Sequence, residues 1–336
     1  MPVAGEGNAV DGLPRNIDLI DLSSLKTQAT GAEVASFAGR EALRLENGLA
    51  LWPEAIEGDL SLRVEIAAEG PCYAGIAFHA ADAGSFELVY AQPHTSGLWD
   101  ALQYDPVFRG SNTWQIYHGP AYQRAATVPM GSWFTLRVDV VAGQVVASVD
   151  GQAPLRVGRL MHGRTGGRLG VWTYLPAFFA GLQVARAEAH RLGPPPEAPE
   201  CPRGTIRRWE LEGVGPIKVE ENATLNLNRH LDWEPGAEAM LTTSLVALRD
   251  TEAELQLGYS DELVLELDGR AIHSGGCTFA ATGGYEGRGY IRPGPVVLKI
   301  PVAAGAHALR ARLRTAEPFG WGLAAAVLGE GIETAG

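Results

Sequence analysis

Apolar and polar residues alternate strictly along much of this 336-residue chain. Leu60, Leu62, Val64 and Ile66 are separated by Ser61, Arg63 and Glu65, and Phe134, Leu136, Val138 and Val140 by Thr135, Arg137 and Asp139. A period of two is the mark of a half-buried strand. Val145, Ala147 and Val149 continue it and end at Asp150-Gly151, a dipeptide that favours type I′ hairpin turns. Ala74–Phe78, Phe86–Tyr90 and Trp114–Tyr117 read as further short strands, and Arg168–Trp172 with Phe178–Val184 as a closing pair. The best helix candidate is the short stretch Gly31–Phe37.

The pattern resumes beyond residue 250. Ala253, Leu255, Leu257 and Tyr259 alternate with polar residues, and Leu263, Leu265 and Leu267 run into Asp268-Gly269. Val296, Leu298, Ile300 and Val302 form another strand, and Leu309, Ala311 and Leu313 alternate with Arg310, Arg312 and Arg314. Many short strands, 42 Gly and 21 Pro predict an all-β protein. Proline cannot donate to a strand ladder, so the proline-rich run Gly193–Gly204 cannot be a central strand. The expected organisation is therefore two tandem β-sandwich (jelly-roll) domains, 1–192 and 205–336, joined by a linker over 193–204.

Charge and cysteine content narrow the partners. A formal charge of −12 argues against nucleic acid and anionic membrane surfaces. Cys72, Cys201 and Cys277 are too few and too widely spaced for a disulfide framework or a CxxC metal motif. They suit reduced thiols, with one bridge plus one free thiol as the alternative. No apolar run reaches the length of a transmembrane helix. The first residues carry no basic-then-apolar leader pattern, which predicts a cytoplasmic protein, with a secreted one left open.

The run YAGIAFHAADAGSFELVYAQPHTSGLWDALQYDPVFRGSNTWQIYHGP, from Tyr73, followed by GSWFTLRVDVVAGQVVASVDG, resembles the concanavalin A-like (laminin G-like) sandwiches. It is more distantly similar to the 3-keto-disaccharide hydrolases of the same fold. In the second half, GYSDELVLELDGRAIHSG and IPVAAGAHALRARLRTAEPFGWGLAAAVLG resemble galactose-binding-like sandwiches. These resemblances imply a role directed at a saccharide or glycoside. The ExDxxE strand of retaining glucanases is absent, and with it the two carboxylates about 5–5.5 Å apart which that mechanism needs.

The chemistry concentrates between Glu87 and Tyr122. Aromatic rings can stack on the C–H faces of sugars, and planar amide, carboxylate and guanidinium groups bond their hydroxyls. Trp99, Tyr104, Trp114 and Tyr90 are candidates for the first task. Gln103, Arg109, Asn112, Gln115, Asp100 and His94 are candidates for the second. A loop over Gln92–Asn112 would be long enough to be a binding loop. If the domain is an enzyme, a hydrolase or lyase, His118 with Asp100 or Glu87 would transfer protons, with His79 or His94 positioning substrate or a metal. The bland alternative is that these groups fill the core and pin a loop. In the second domain, Asp261 and Glu262 could hold a structural calcium ion through hard oxygen ligands, and His273 and Trp321 mark an alternative sugar site. Walker, GxGxxG-before-helix and GxSxG signatures are absent.

Overall fold

A computed structural model describes residues 13–187, 193, 196, 199 and 201–334. Most of the linker expected over 193–204 falls outside them. The described chain is almost entirely antiparallel β structure, in two compact units. One unit comprises Met1–Tyr104 and Tyr122–Pro196, the other Asp105–Ala121 and Glu197–Gly336. The stretch 105–121, expected within the first domain, thus groups with the second unit.

The first unit is one hydrogen-bonded path of strands folded into two layers. In order across the path lie Leu155–Val157, Gln144–Val149, Phe134–Val141, Leu60–Ala67, Ala177–Arg186, Arg40–Glu57, Gly166–Tyr174, Tyr73–Asp82, Ser85–Ala91, Leu102–Tyr104 and Gln123–Arg124. The 18-residue strand Arg40–Glu57 forms the corner. Its early residues pair with Ala177–Arg186 and its later ones with Gly166–Tyr174, so the path turns back on itself. Tyr73–Asp82 and Ser85–Ala91 consequently lie against Phe134–Val141. Leu60, Leu62, Val64, Ile66, Leu136 and Val138 are fully buried, as their alternation requires. Each such side chain contributes about 1.5–3 kcal/mol through removal from water.

One local expectation changes. Gly31–Phe37 is part of the strand Lys26–Phe37, paired residue by residue with Arg40–Glu57. The Ala38-Gly39 turn (φ 49° and 77°) reverses the chain immediately, so the segment gains its hydrogen bonds from a neighbour strand. Asp150-Gly151 closes the Gln144–Val149 strand as expected, both residues at positive φ and the Gln152 amide bonding the Val149 carbonyl at 2.9 Å before the chain returns as Leu155–Val157, while Ala142-Gly143 makes the turn between Phe134–Val141 and Gln144–Val149. The three cysteines are all free, and burial pushes the Cys72 thiol up to about 12, leaving it protonated.

The second unit is a sandwich of two sheets. One runs Gly215–Lys218, Arg208–Leu211, Glu238–Ala247, Gly305–Arg314, Glu262–Leu267, Arg270–Gly276, with Ile332–Thr334 also on Glu238–Ala247. The other runs Leu225–Asn226, Gly322–Leu328, Thr251–Ser260, Val296–Val302. Leu241, Leu263, Leu265, Leu309, Ala311 and Leu313 of the first sheet meet Leu255, Leu257 and Leu323 of the second, with Trp209 and Trp321 filling the same core. Asp268-Gly269 forms the expected two-residue turn, both residues at positive φ.

Candidate functional site

The sheet register in the first unit separates two faces of the strands that carry most candidate residues. Val171, Ile76, Val89 and Tyr104 pair in one row across four strands and are all buried. This face looks into the core. Glu87 lies on it, two residues before Val89. Its carboxylate accepts the Tyr104 hydroxyl at 2.5 Å and the His162 amide at 2.9 Å, and the Tyr104 oxygen accepts the Met161 amide at 2.8 Å. A fully buried carboxylate bonded in this way ties the core to the 161–162 loop. Asp100 is also buried, and its backbone carbonyl accepts the Gln92 amide at 2.5 Å.

The opposite face is aromatic. Trp172, Gly75, Tyr90 and Gln103 pair in the adjacent row, and Gln103 pairs on to Gln123. Tyr174 and Tyr73, two residues from Trp172 and Gly75, share that side of the pleat. A Cβ at residue 75 would come within 2.0 Å of the Val89 carbonyl oxygen, so only glycine fits there. Above that gap Trp172 and Tyr90 approach to 5.6 Å between ring centroids. Tyr73 continues the patch, 5.7 Å from Tyr90, 5.8 Å from Tyr174 and 4.9 Å from the His94 imidazole. Exposure grades along it: Tyr90 is 3% exposed and Tyr174 51%, with Trp172 and Tyr73 between and His94 exposed. Gln103 and Gln123 are buried as an amide pair, Gln123 donating to the Gln103 carbonyl oxygen at 2.7 Å. Trp99 is half-buried in the 92–101 segment. This segment is no open loop: it has a short 3-10 turn at Pro93–Thr95 and leads into the strand Leu102–Tyr104.

The remaining candidates lie on the 105–121 arm. Tyr104 and Tyr122 are joined by a backbone hydrogen bond of 2.9 Å, so the arm leaves and re-enters the first unit at one point. Trp114–Tyr117 is a turn, because the Ile116 and Tyr117 amides both bond the Thr113 carbonyl. Buried Asp105 holds that turn, accepting from the Asn112 side chain and the Thr113 amide at 2.7 Å each. Burial pushes its carboxyl up to about 7 against the opposing pull of these bonds. Within the second unit the arm is anchored throughout. The Gln115 backbone bonds Phe319 and Ile291, and its side chain bonds Ser260 and the Arg288 carbonyl. The Tyr117 hydroxyl donates to Glu220 at 2.5 Å and accepts from Asn226 and Arg229 at 3.2 Å each. Burial first, then the Glu220 carboxylate, raises this phenol well above its ordinary value, so it remains a donor. Trp114 packs among Phe319, Phe279 and Tyr290. Arg109 pairs with Asp232 at 2.8 Å.

His118 stacks on Tyr290 at 4.4 Å, with Nε2 3.3 Å from the Ile291 carbonyl and Nδ1 3.4 Å from the Tyr285 hydroxyl. Burial lowers its pKa to about 4, Arg292 adding to the effect. Its ring partners are thus a carbonyl and a phenol, and Glu87 has its own partners in the first unit's core. His79 is buried with neither ring nitrogen hydrogen-bonded to a described residue, and burial lowers its pKa too. Asp261 accepts the Ser260 hydroxyl and the Ala316 and Glu317 amides, and Glu262 pairs with Arg314. Both carboxylates proposed for calcium are therefore engaged, and no group of three or more His, Cys, Asp or Glu among the described residues could hold a metal ion. Trp172, Tyr73 and Tyr174 escaped the sequence reading, although Gly-Val-Trp-Thr-Tyr places two aromatics on one side of a strand.

No protein-family model matches the chain, and no curated protein matches it in sequence. Among solved structures it is similar to the carbohydrate binding module CBM66 from Bacillus subtilis, at 12% identity and TM-score 0.37 over 48% of this chain and 95% of that one. It is also similar to a Bacillus subtilis protein of unknown function with a galectin-like fold, at 12% identity and TM-score 0.38 over 51% and 94%. Chicken galectin 2 matches at 12% identity and TM-score 0.29 over 38% and 93%.

Proposed function

We propose that the protein is a carbohydrate-binding protein whose saccharide site is the aromatic face of the first unit, centred on Trp172, Tyr90, Tyr73 and Tyr174 with His94 at its edge. The observation that carries this reading is the continuous row of rings, graded from buried to exposed, along one side of the sheet. Rings held edge to tilted-face by their neighbours lose little freedom when a ligand stacks on them. Their hydroxyl and imidazole tips supply the hydrogen bonds that orient a sugar. Binding is favoured over hydrolysis or elimination because the first unit's candidate acid, Glu87, is turned into the core and hydrogen-bonded there.

The test is direct. A glycan array on the full chain selects an oligosaccharide, and calorimetry compares the wild type with Trp172→Ala and Tyr174→Ala. Loss of an aromatic contact should weaken binding about tenfold or more, by roughly 1–2 kcal/mol, with intact oligosaccharide recovered afterwards. Unchanged affinity in both variants would remove the site from this face, and shortened or unsaturated products would replace binding with catalysis.

A further inference from the structure

The most exposed ring of the aromatic face stands on a strained turn that two side chains hold in place. Tyr174 ends the strand Gly166–Tyr174 and Ala177 begins the strand Ala177–Arg186, so Leu175 and Pro176 alone join the two. Leu175 lies at φ 68°, a left-handed conformation in which a bulky side chain is an outlier. Such a residue persists only where its surroundings over-determine it. The Leu175 amide donates to Asn47 Oδ1 at 2.8 Å, and the Thr173 hydroxyl lies 2.7 Å from the Leu175 carbonyl and 2.9 Å from that of Tyr73. Both backbone polar groups of the strained residue are thus met by side chains. Thr173 is 1% exposed and projects from the opposite side of the strand to Tyr174. Asn47 is itself at φ 46°, a conformation that Asn adopts more readily than other residues with a Cβ. In the corner strand Arg40–Glu57 it separates residues 43–45, which pair with Ala177–Arg186, from residues 48–57, which pair with Gly166–Tyr174. Its amide therefore sits where the corner strand changes partners, beside the connection between those same partners.

We infer, given the saccharide site proposed for the aromatic face, that Asn47 and Thr173 are positioning residues of that site: they fix the Tyr174 backbone, and with it the attitude in which the ring meets a ligand. Tyr174 is 51% exposed, the most of the four rings, and ends its strand, where an unclamped residue frays. Ordering an exposed ring on binding costs conformational entropy, and a ring that is already held avoids that cost. The Asn47 amide is engaged by the Leu175 amide and, through Nδ2, by the Thr30 hydroxyl at 3.3 Å, and the Thr173 hydroxyl by the two carbonyls. Both side chains therefore act through Tyr174 and not on the saccharide itself.

Fluorine NMR of the full chain labelled with fluorotyrosine, with the Tyr174 signal assigned through Tyr174→Phe, reports the ring without any saccharide. Asn47→Gly removes the acceptor but tolerates the positive φ, Thr173→Val removes the hydroxyl, and Asn47→Asp keeps an acceptor for the Leu175 amide. The Tyr174 signal should move toward that of free fluorotyrosine in the first two variants and stay in place in the third. The oligosaccharide selected on the glycan array should bind the first two about tenfold more weakly, the scale of one lost hydrogen bond, and Asn47→Asp as it binds the wild type. On a Tyr174→Ala background Asn47→Gly should cause no further loss, because residues that act through one another are not additive. A merely structural role would lower the melting temperature and show no such dependence on Tyr174. A Tyr174 signal unmoved in both Asn47→Gly and Thr173→Val, or a loss of affinity that repeats in full on the Tyr174→Ala background, overturns the proposal. Failure of the site itself would show differently, as wild-type affinity in both Tyr174→Ala and Trp172→Ala, and the positioning role would fall with it.

Discussion

The aromatic face of the first unit and the arm of the second have nearly the same composition, rings interleaved with amides and a histidine, and opposite physical characters. On the arm, the polar groups are bonded inside the unit. Tyr117 meets Glu220, Asn226 and Arg229, Gln115 meets Ser260 and Arg288, and His118 meets Ile291 and Tyr285. On the face, ring surface at Tyr174, Trp172 and Tyr73 reaches solvent. A buried polar group that has found its partners stabilises structure, whereas an ordered ring with solvent on one side is available to a ligand. Residue types alone do not distinguish an anchor from a binding platform; the state of their partners does.

The strongest way to break this comparison is to remove the arm. The stretch 197–336 produced without 105–121 lacks Tyr117, Ile116 and Gln115, all fully buried in the intact unit. It is expected to show no cooperative thermal transition by circular dichroism, and to regain one when a 105–121 peptide is added. A cooperative melt of 197–336 alone would show the arm to be dispensable. By the same logic, cutting the full chain within 193–204 should leave two fragments that co-elute in native conditions.

A smaller effect is expected from single anchors. Tyr117→Ala removes a buried ring and strands the Glu220–Arg229 pair, and should cost about 3–5 kcal/mol in urea unfolding. Tyr117→Phe should cost about 1–3 kcal/mol. Neither should alter saccharide affinity if the site lies on the aromatic face.

The arm's histidine gives a pH signature. With the folded pKa of His118 lowered to about 4 against an ordinary 6.5, the unfolded chain binds more protons between those values. Its contribution is fully present above pH 6.5 and is lost as pH falls toward 4. About 2 kcal/mol should disappear between pH 6.5 and 5. His118→Phe should flatten that part of the stability profile measured by denaturation across pH, and an unflattened profile would assign the loss to other groups, buried His79 first.

The smallest effect sharpens the other side. Trp172→Ala should shift the melting temperature by only a few degrees, consistent with roughly 1 kcal/mol for a surface ring, while reducing saccharide affinity tenfold or more. A large drop in stability with unchanged binding would make Trp172 an anchor as well.

Much of the architecture follows from the sequence alone. The period-two runs at Leu60–Ile66, Phe134–Val140, Ala253–Tyr259 and Leu309–Arg314 fix strands and their buried sides, because a pleated strand must alternate and water expels the apolar half. The Asp268-Gly269 turn is equally local, since its dipeptide tolerates positive φ. Gly31–Phe37 was not legible, because its strand character depends on a partner brought alongside by the Ala38-Gly39 turn. Nor was the division of the Glu87–Tyr122 segment. Glu87 and Tyr104 lie on one face of the sheet, Tyr90 and Gln103 on the other, and Asn112 through His118 belong to the other unit. Period-two alternation shows that a strand has two faces; only the packing of a second layer decides which one is the core. The fate of the arm depends on partners such as Glu220, Arg229, Ser260 and Ile291, more than 100 residues away along the chain. Contacts at that separation leave no local pattern, and so the tertiary structure alone distinguishes the rings that hold the protein together from those that remain available to a ligand.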